Sequence, residues 1–304
     1  MIQIRGLSKT YRTGFLMKPK LALHDVNLHV QEGEIFGYIG PNGSGKSTTI
    51  KILTGLLRPG SGDVRILGVP PSDPASRKNL GYLPEHPYFY DYLTGYELLK
   101  FYGSLSGLRG KLLEERITWA LELLHANHDW VHRRLRTYSK GMMQRMGLAQ
   151  AILAKPRLLI LDEPMSGLDP LGRRDVREAI QSLNREGCTI FYSSHVLSDV
   201  ESISHRVAMI VDGTIVRQGT VEEVTAAESS EYRVRLSHSW ESTELPSGII
   251  ALSSQEFVCA NAHFRDAFLR IALERGLGIE RIESYRPSLE EVLTKEVSQD
   301  GANG

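Results

Sequence analysis

The sequence contains the spacing of a phosphate-binding loop, G-x-x-x-x-G-K-S, at residues 40–47. Its glycines allow the backbone to turn so that successive N–H groups converge on one anion. The Lys46 ammonium can reach the β- and γ-phosphates of a nucleotide, and the Ser47 hydroxyl is a ligand for Mg²⁺. The alternative is a chance match in a glycine-rich turn. The predicted nucleotide contacts are Gly40, Pro41, Asn42, Gly43, Ser44, Gly45, Lys46, Ser47 and Thr48.

Two acidic residues, Asp162 and Glu163, directly follow four aliphatic residues at 158–161 that predict a buried central strand. Ligands of α/β sheets bind at the carboxyl ends of such strands. Because two adjacent carboxylates are costly to bury without a cation, Asp162 is interpreted as the Mg²⁺-side partner of Ser47. Glu163 is placed to polarise a water at the γ-phosphate. The alternative is a pair of acids that only caps the strand.

A histidine and a tyrosine are further candidates for nucleotide contact. His195 ends the predicted strand 188–195, and it would reach the sheet edge of Ser47 and Glu163 if the strands are parallel. There its imidazole can contact the γ-phosphate or the attacking water, whereas a structural histidine is the alternative. Tyr11 can stack on a purine base, although the local sequence alone favours a surface tyrosine at a strand end.

The elements that must position these residues follow from periodicity and from helix-capping signals. A strand before the phosphate loop and a helix after it would direct partial positive charge at the phosphates. The predicted elements are antiparallel strands within 1–40, a buried strand at 33–39, a helix at 47–54, a helical region at 94–155 that opens with a capping box at Thr94 and Glu97, a helix at 172–186 and a β-hairpin at 206–216.

Composition limits the class of protein. The 304 residues carry 36 basic and 36 acidic side chains, and zero net charge argues against a protein that coats nucleic acid. No apolar run approaches the ~18–20 residues that span a bilayer, so we expect membrane work to need a partner chain. Cys188 and Cys259 lack metal-ligand spacing and are interpreted as buried small side chains in a reduced compartment.

A change in composition at 226–230 predicts a linker between two domains. We expect one domain at 1–225, with a helical subdomain at about 86–155. A small α+β domain is expected at 226–304, because alternating apolar residues and a short amphipathic stretch follow the linker. Residues 299–304 are expected to be disordered.

The order and spacing of these motifs resemble the nucleotide-binding subunit of an ATP-binding-cassette (ABC) transporter over about residues 1–220. The matching motifs are the Walker A motif at 40–47, the Walker B motif and catalytic glutamate at 158–163, the D-loop at 166–169 and the switch histidine at His195. Tyr11 matches the family's adenine-stacking residue, which favours stacking over a surface role. The resemblance implies an α/β fold of the P-loop NTPase class, an ABC-type cassette with a mixed sheet core, an antiparallel β subdomain and a helical subdomain.

The resemblance also implies that the site is shared between two chains. The family's LSGGQ segment corresponds to residues 138–142, where Ser139 and Gly141 are kept and Met142 replaces the final glutamine. In the family this segment lies far from its own phosphate loop, so Ser139 and Gly141 are expected to contact ATP in trans, from a second copy. Glu85 stands at the family's Q-loop position and is a further candidate ligand for Mg²⁺.

Both departures resemble the branch whose membrane partner is an ABC-2-type permease. This implies an ATP-hydrolysing subunit that uses ATP and Mg²⁺ and forms a dimer, most simply a homodimer, with no nucleic-acid partner. It also implies a cytoplasmic chain held at the inner face of the membrane by the permease, with the aromatic residues at 88–92 near the docking face. The alternatives are a non-transport ABC ATPase that acts on ribosomes or DNA, and a regulatory protein whose C-terminal domain is the functional part.

Overall fold

A computed structural model describes residues 1–14, 18–126, 128–225, 231–241, 245–285 and 287–300. The chain divides into two compact units, Met1–Thr220 and Val221–Gly304. The predicted linker at 226–230 and the end of the predicted tail, 301–304, lie outside the described residues. The domain boundary after residue 225 therefore stays a prediction.

The first unit contains the elements that position the phosphate loop and the acids after it. They are β1 (Ile2–Thr13), β2 (Lys18–Val30), β3 (Ile35–Ile39), α1 (Lys46–Leu53), β4 (Ser61–Ile66), β5 (Leu80–Leu83), α2 (Gly95–Leu105), α3 (Gly110–Leu123), α4 (His128–Val131), α5 (Lys140–Ile152), β6 (Leu158–Leu161), α6 (Pro170–Arg185), β7 (Thr189–Ser194), α7 (Leu197–Ile203), β8 (Arg206–Val211) and β9 (Thr214–Thr220).

The main sheet has the strand order β5-β6-β7-β3-β8-β9 and is parallel except for the β8–β9 hairpin. Every residue of β6 and β7 is buried, as expected for strands covered on both faces. Leu161 pairs with Tyr192, and Ile39 pairs with Ser194. The carboxyl ends of β3, β6 and β7 therefore meet at one edge of the sheet, which confirms the predicted mixed-sheet core.

A second sheet, with the order β2-β1-β4, is antiparallel and forms the predicted β subdomain. The prediction that residues 1–40 belong to an antiparallel region is wrong for β3, which pairs in parallel with β7 and β8. All five residues of β3 are buried, so this strand needs neighbours and cover on both faces.

The helical region contains α2, α3, α4 and α5. The predicted capping box is confirmed, because the Thr94 hydroxyl accepts from the Glu97 N–H and the Glu97 carboxylate accepts from the Thr94 N–H. The region is not helical throughout, since a 3₁₀ turn at Leu135–Thr137 and loops separate α4 from α5. Basic residues at 133, 134 and 136 interrupt the apolar helix periodicity there.

The second unit is α+β, as predicted. Its elements are α8 (Val221–Thr225), β10 (Glu231–Leu236), β11 (Ile249–Ala251), β12 (Glu256–Cys259), α9 (Ala262–Glu274), β13 (Ile279–Tyr285) and α10 (Leu289–Asp300). The strands form an antiparallel sheet in the order β11-β12-β10-β13, and α9 packs on it through Phe268. The last helix, α10, extends through Asp300, and the disorder expected for the tail stays a prediction.

Both cysteines are buried and free, as predicted. Burial raises the pKa of the Cys188 thiol to about 12 and that of the Cys259 thiol to about 11. Neither thiol is therefore ionised near neutral pH, and both are unreactive.

Across the described ranges, none of the helices combines the length and the apolar character that crossing a bilayer requires.

Candidate nucleotide site

The phosphate loop connects β3 to α1 through backbone conformations that need glycine. Gly43 and Gly45 have φ values of 84° and 111°, in the left-handed region. A Cβ atom on Gly40 would lie 2.1 Å from the Ile210 carbonyl oxygen. The loop therefore closes tightly on β8 and leads directly into the N-terminus of α1, where orphan N–H groups favour an anion.

Lys46, the first residue of α1, is a buried cation beside the loop. Its ammonium donates to the carbonyl oxygens of Gly40 at 2.7 Å and Pro41 at 3.1 Å, and it lies 3.8 Å from Glu163 Oε1. Desolvation lowers the pKa of Lys46, while the nearby carboxylates, with Glu163 the strongest, raise it. The charge is thus held between the loop and the end of β6.

Asp162 and Ser47 lie together, and a serine that the sequence analysis missed joins them. The Ser193 hydroxyl donates to Asp162 Oδ1 at 2.7 Å, and the Ser47 hydroxyl donates to the same oxygen at 3.5 Å. The Ser193 Oγ also accepts from the Glu163 N–H at 3.0 Å. Ser193 thereby fixes two consecutive residues at the end of β6.

Burial raises the pKa of Asp162, and the hydrogen bonds from Ser193 and Ser47 lower it. Glu85 and Glu163 raise it further by charge repulsion. A hydroxyl beside several carboxylates is the oxygen-rich donor set that Mg²⁺ prefers, and a cation there would relieve the repulsion. The described residues therefore fit a magnesium ion.

Glu163 and His195 form a close pair. The His195 Nδ1 lies 2.8 Å from Glu163 Oε2, and the His195 backbone N–H donates to the same oxygen at 3.4 Å. Glu163 is 7% exposed, and its φ of 51° is uncommon for a residue other than glycine. Such backbone strain, of order 1–3 kcal/mol, persists where surrounding structure imposes it and is frequent at active sites.

A cavity of about 560 Å³ brings most of the predicted contacts together. The Tyr11 hydroxyl lies at one side of it, 3.5 Å from Thr48 Oγ1. The predicted residues that line the cavity are Tyr11, Asn42, Gly43, Gly45, Lys46, Ser47, Thr48, Glu85, Glu163 and His195. Four predicted residues are outside this lining but lie close to lining residues along the chain: Gly40, Pro41, Ser44 and Asp162.

Ser139 and Gly141 lie elsewhere in the chain. Ser139 is the N-cap of α5, and its hydroxyl accepts from the Met142 N–H at 3.2 Å. Both residues line a second cavity of about 580 Å³, together with 167–169. Neither is among the described residues that line the first cavity, so one chain does not bring the two sets together.

The Ser193→Ala variant is expected to need about tenfold more Mg²⁺ for half-maximal ATP hydrolysis. An effect of this size is usual when a residue that hydrogen-bonds to a metal ligand is removed. Loss of the 2.7 Å hydrogen bond raises the pKa of Asp162, so less of this carboxylate is ionised at a given pH. The measurement is hydrolysis against Mg²⁺ concentration. The control is Ser106→Ala, which removes an exposed hydroxyl at the end of α2. An unchanged Mg²⁺ titration would show that Ser193 has no such role.

The contact between Ser193 and Asp162 could not be predicted from the sequence, because the register of β6 against β7 depends on tertiary pairing. Leu161 pairs with Tyr192, and this register sets Ser193 beside Asp162. The polar ending of β7 was visible in the sequence, but its partner strand was not.

Comparisons with known proteins agree with this geometry. A family model described as ABC transporter matches residues 23–166. The chain is 40% identical to an uncharacterized ABC transporter ATP-binding protein, sll0415, of Synechocystis sp., covering 99% of this chain and 86% of that one. It is 37% identical to the bacitracin transport ATP-binding protein BcrA of Enterococcus faecalis, over 74% of this chain and 70% of that one. The dimeric structure of MJ0796, a bacterial ABC transporter cassette, is similar with a TM-score of 0.67 and 25% identity, over 72% of this chain and 98% of that one.

Proposed function

Because the chain belongs to the family of ABC transporter ATP-binding proteins and is therefore an ATPase, we propose that it powers export through a separate permease of the ABC-2 type. The observation that carries the proposal is the cavity where Lys46, Glu163 and His195 meet at one sheet edge. The relative named for bacitracin transport supports a role in transport. Glu85 and Met142, which depart from the usual family pattern, support the ABC-2 branch.

ATP is the substrate that this cavity fits. The Tyr11 ring stacks on the adenine, since an aromatic face binds a base without demanding a hydrogen-bond pattern. The loop N–H groups and the N-terminus of α1 hold the phosphates, and Lys46 turns from the loop carbonyls toward the β- and γ-phosphates.

The residues that would hold Mg²⁺ are Ser47 and Asp162, with Glu85 as a further ligand. A bound Mg²⁺ would neutralise charge on the β- and γ-phosphates. Ser193 keeps Asp162 in place and lowers its pKa, so the carboxylate is ionised when it is needed as a ligand.

Glu163 acts as the general base for hydrolysis. It accepts a proton from the water that attacks the γ-phosphate, and ADP and phosphate are the products. His195, 2.8 Å from Oε2, orients the carboxylate and lines the same cavity. The short chain of contacts from His195 through Glu163 to Lys46 keeps the base next to the transferred group.

Two copies of the chain enclose each ATP. Ser139 and Gly141 lie at the N-terminus of α5, where backbone N–H groups and the helix dipole suit the γ-phosphate of an ATP bound to the other copy. The separation of the two cavities in one chain supports this arrangement, as does the dimeric structure of MJ0796. ATP then joins the dimer, and hydrolysis releases it.

Exposed tyrosines after Glu85 supply the surface that docks the permease. Tyr88 is 95% exposed and Tyr92 62% exposed, and the rings of Tyr90 and Tyr92 lie 5.7 Å apart. Clustered aromatic side chains are enriched at protein interfaces. Docking here would hold the chain at the inner face of the membrane and connect the permease to Glu85 in the ATP cavity.

The proposed function is tested by co-expressing this chain with a candidate permease, a polytopic membrane protein whose gene adjoins its own. We expect the two to co-purify in detergent and Tyr90→Glu to reduce the yield of the complex at least about fivefold, because a buried unpaired charge opposes docking. ATP hydrolysis by the isolated Tyr90→Glu chain is expected to be unchanged. Leu56→Glu is the matched control, since Leu56 is a similarly exposed apolar residue after α1. Co-sedimentation with ribosomes in place of co-purification would instead favour the non-transport alternative.

A further inference from the structure

A buried ion cluster connects α6 and α7, the helices that follow the predicted D-loop and the switch histidine. Asp199 on α7 is 2% exposed. Arg177 Nη1 donates to Asp199 Oδ1 at 2.6 Å, and Arg173 Nη2 lies 3.0 Å from Asp199 Oδ2. A carboxylate so far from water is costly unless both cations stay in place, so the contact resists separation of the two helices.

The cluster lies close along the chain to both predicted catalytic segments. Asp169 is the N-cap of α6, where its carboxylate accepts from the Gly172 N–H at 2.9 Å, and Arg173 follows directly. Asp199 is in the first turn of α7, four residues after His195. The cluster therefore joins the first turn of α7 to the first two turns of α6.

One of the arginines also reaches the space behind the Glu163–His195 pair. A small cavity of about 230 Å³ is lined by Glu163, His195, Arg173 and the D-loop residues 166–168. Arg173 therefore contacts Asp199 on one side and borders the catalytic pair on the other.

We propose that Asp199 is a positioning residue for hydrolysis. Through Arg173 and Arg177 it holds the segment that carries His195 at a fixed position against the D-loop, which keeps His195 Nδ1 within 2.8 Å of Glu163 Oε2. The inference rests on the proposed function: residues 167–169 of the D-loop line the same cavity as Ser139 and Gly141, so the second copy would meet the D-loop there. Docking of that copy would then affect His195 through the ion pairs of Asp199 with Arg173 and Arg177.

The test compares Asp199→Asn and Arg177→Gln with wild type. Asp199→Asn keeps the side-chain size but removes the charge that orients both guanidinium groups. We expect kcat for ATP to fall about tenfold or more while KM changes less than about twofold, because a misplaced catalytic pair slows chemistry without removing the phosphate contacts. Arg177 is half-buried, so Arg177→Gln is expected to lower kcat less than Asp199→Asn does. Arg177→Lys, which keeps the positive charge, is expected to retain most of the wild-type kcat.

The matched control is Glu34→Gln, which removes a buried carboxylate that lies 3.2 Å from Arg206 in the same unit. Thermal unfolding is measured for every variant. An unchanged kcat for Asp199→Asn would overturn the inference. The inference would also be overturned if Asp199→Asn and Glu34→Gln lost kcat equally and in proportion to their losses of thermal stability. Wild-type hydrolysis and co-purification with the permease test the proposed function separately, so the two failures are distinguishable.

Discussion

The Glu163→Gln variant is expected to hydrolyse ATP about 10²–10⁴-fold more slowly than wild type and to accumulate as an ATP-bound dimer. Glutamine keeps the volume and can still contact His195, but it cannot accept a proton from the attacking water. Loss of the carboxylate also removes the anion 3.8 Å from Lys46, which frees this cation for the γ-phosphate. Phosphate release measures the rate, and light scattering after gel filtration with ATP measures the dimer.

Glu178→Gln is the control for this variant, because Glu178 is an exposed residue of α6 that pairs on the helix surface with Arg174 at 3.5 Å. We expect it to hydrolyse ATP normally and to show no stable dimer. Hydrolysis by Glu163→Gln at the wild-type rate would mean that Glu163 is not the general base.

The Lys46→Ala variant is expected to weaken ATP binding by about 2–5 kcal/mol, the usual result of truncating one partner of a buried charge pair. This is about a 30-fold or larger increase in Kd. The ammonium is buried beside the loop and donates to the carbonyl oxygens of Gly40 and Pro41, so its charge lies at the proposed phosphate site. Titration with a fluorescent ATP analogue measures the effect.

Lys51→Ala provides the comparison for Lys46→Ala, since Lys51 is an exposed lysine in the last turn of the same helix. The Kd of this variant for the ATP analogue is expected to match that of wild type within about twofold, because most substitutions of exposed residues have small effects. Equal ATP affinity in Lys46→Ala and wild type would show that the phosphates bind elsewhere.

The parts of the site that could be predicted from sequence are those set by local chemistry and by strand ends. The loop at 40–47 is contiguous, and Asp162, Glu163 and His195 each follow an apolar strand. Once those strands are parallel, their carboxyl ends must share an edge, so the closeness of Lys46, Glu163 and His195 follows without knowledge of side-chain packing.

The supporting contacts were beyond sequence reasoning because they depend on register and helix packing. Ser193 meets Asp162 through the pairing of β6 with β7. Asp199 meets Arg173 only after α7 packs beside α6, and α7 itself is too short to give a clear periodic signal. The parallel pairing of β3 was missed for a similar reason, since its sequence neighbours are antiparallel and its spatial neighbours come much later in the chain.

We propose that each ATP is held by the phosphate loop of one copy and by Ser139 and Gly141 of the other. The most direct test of this proposal is the rate of ATP hydrolysis by an equimolar mixture of Lys46→Ala and Gly141→Asp, each inactive alone. Aspartate in the first turn suits the helix but repels a γ-phosphate. A shared site predicts recovery of about a quarter of the wild-type rate, because half of the dimers are mixed and each has one intact site. A mixture that stays inactive after subunit exchange would contradict the account.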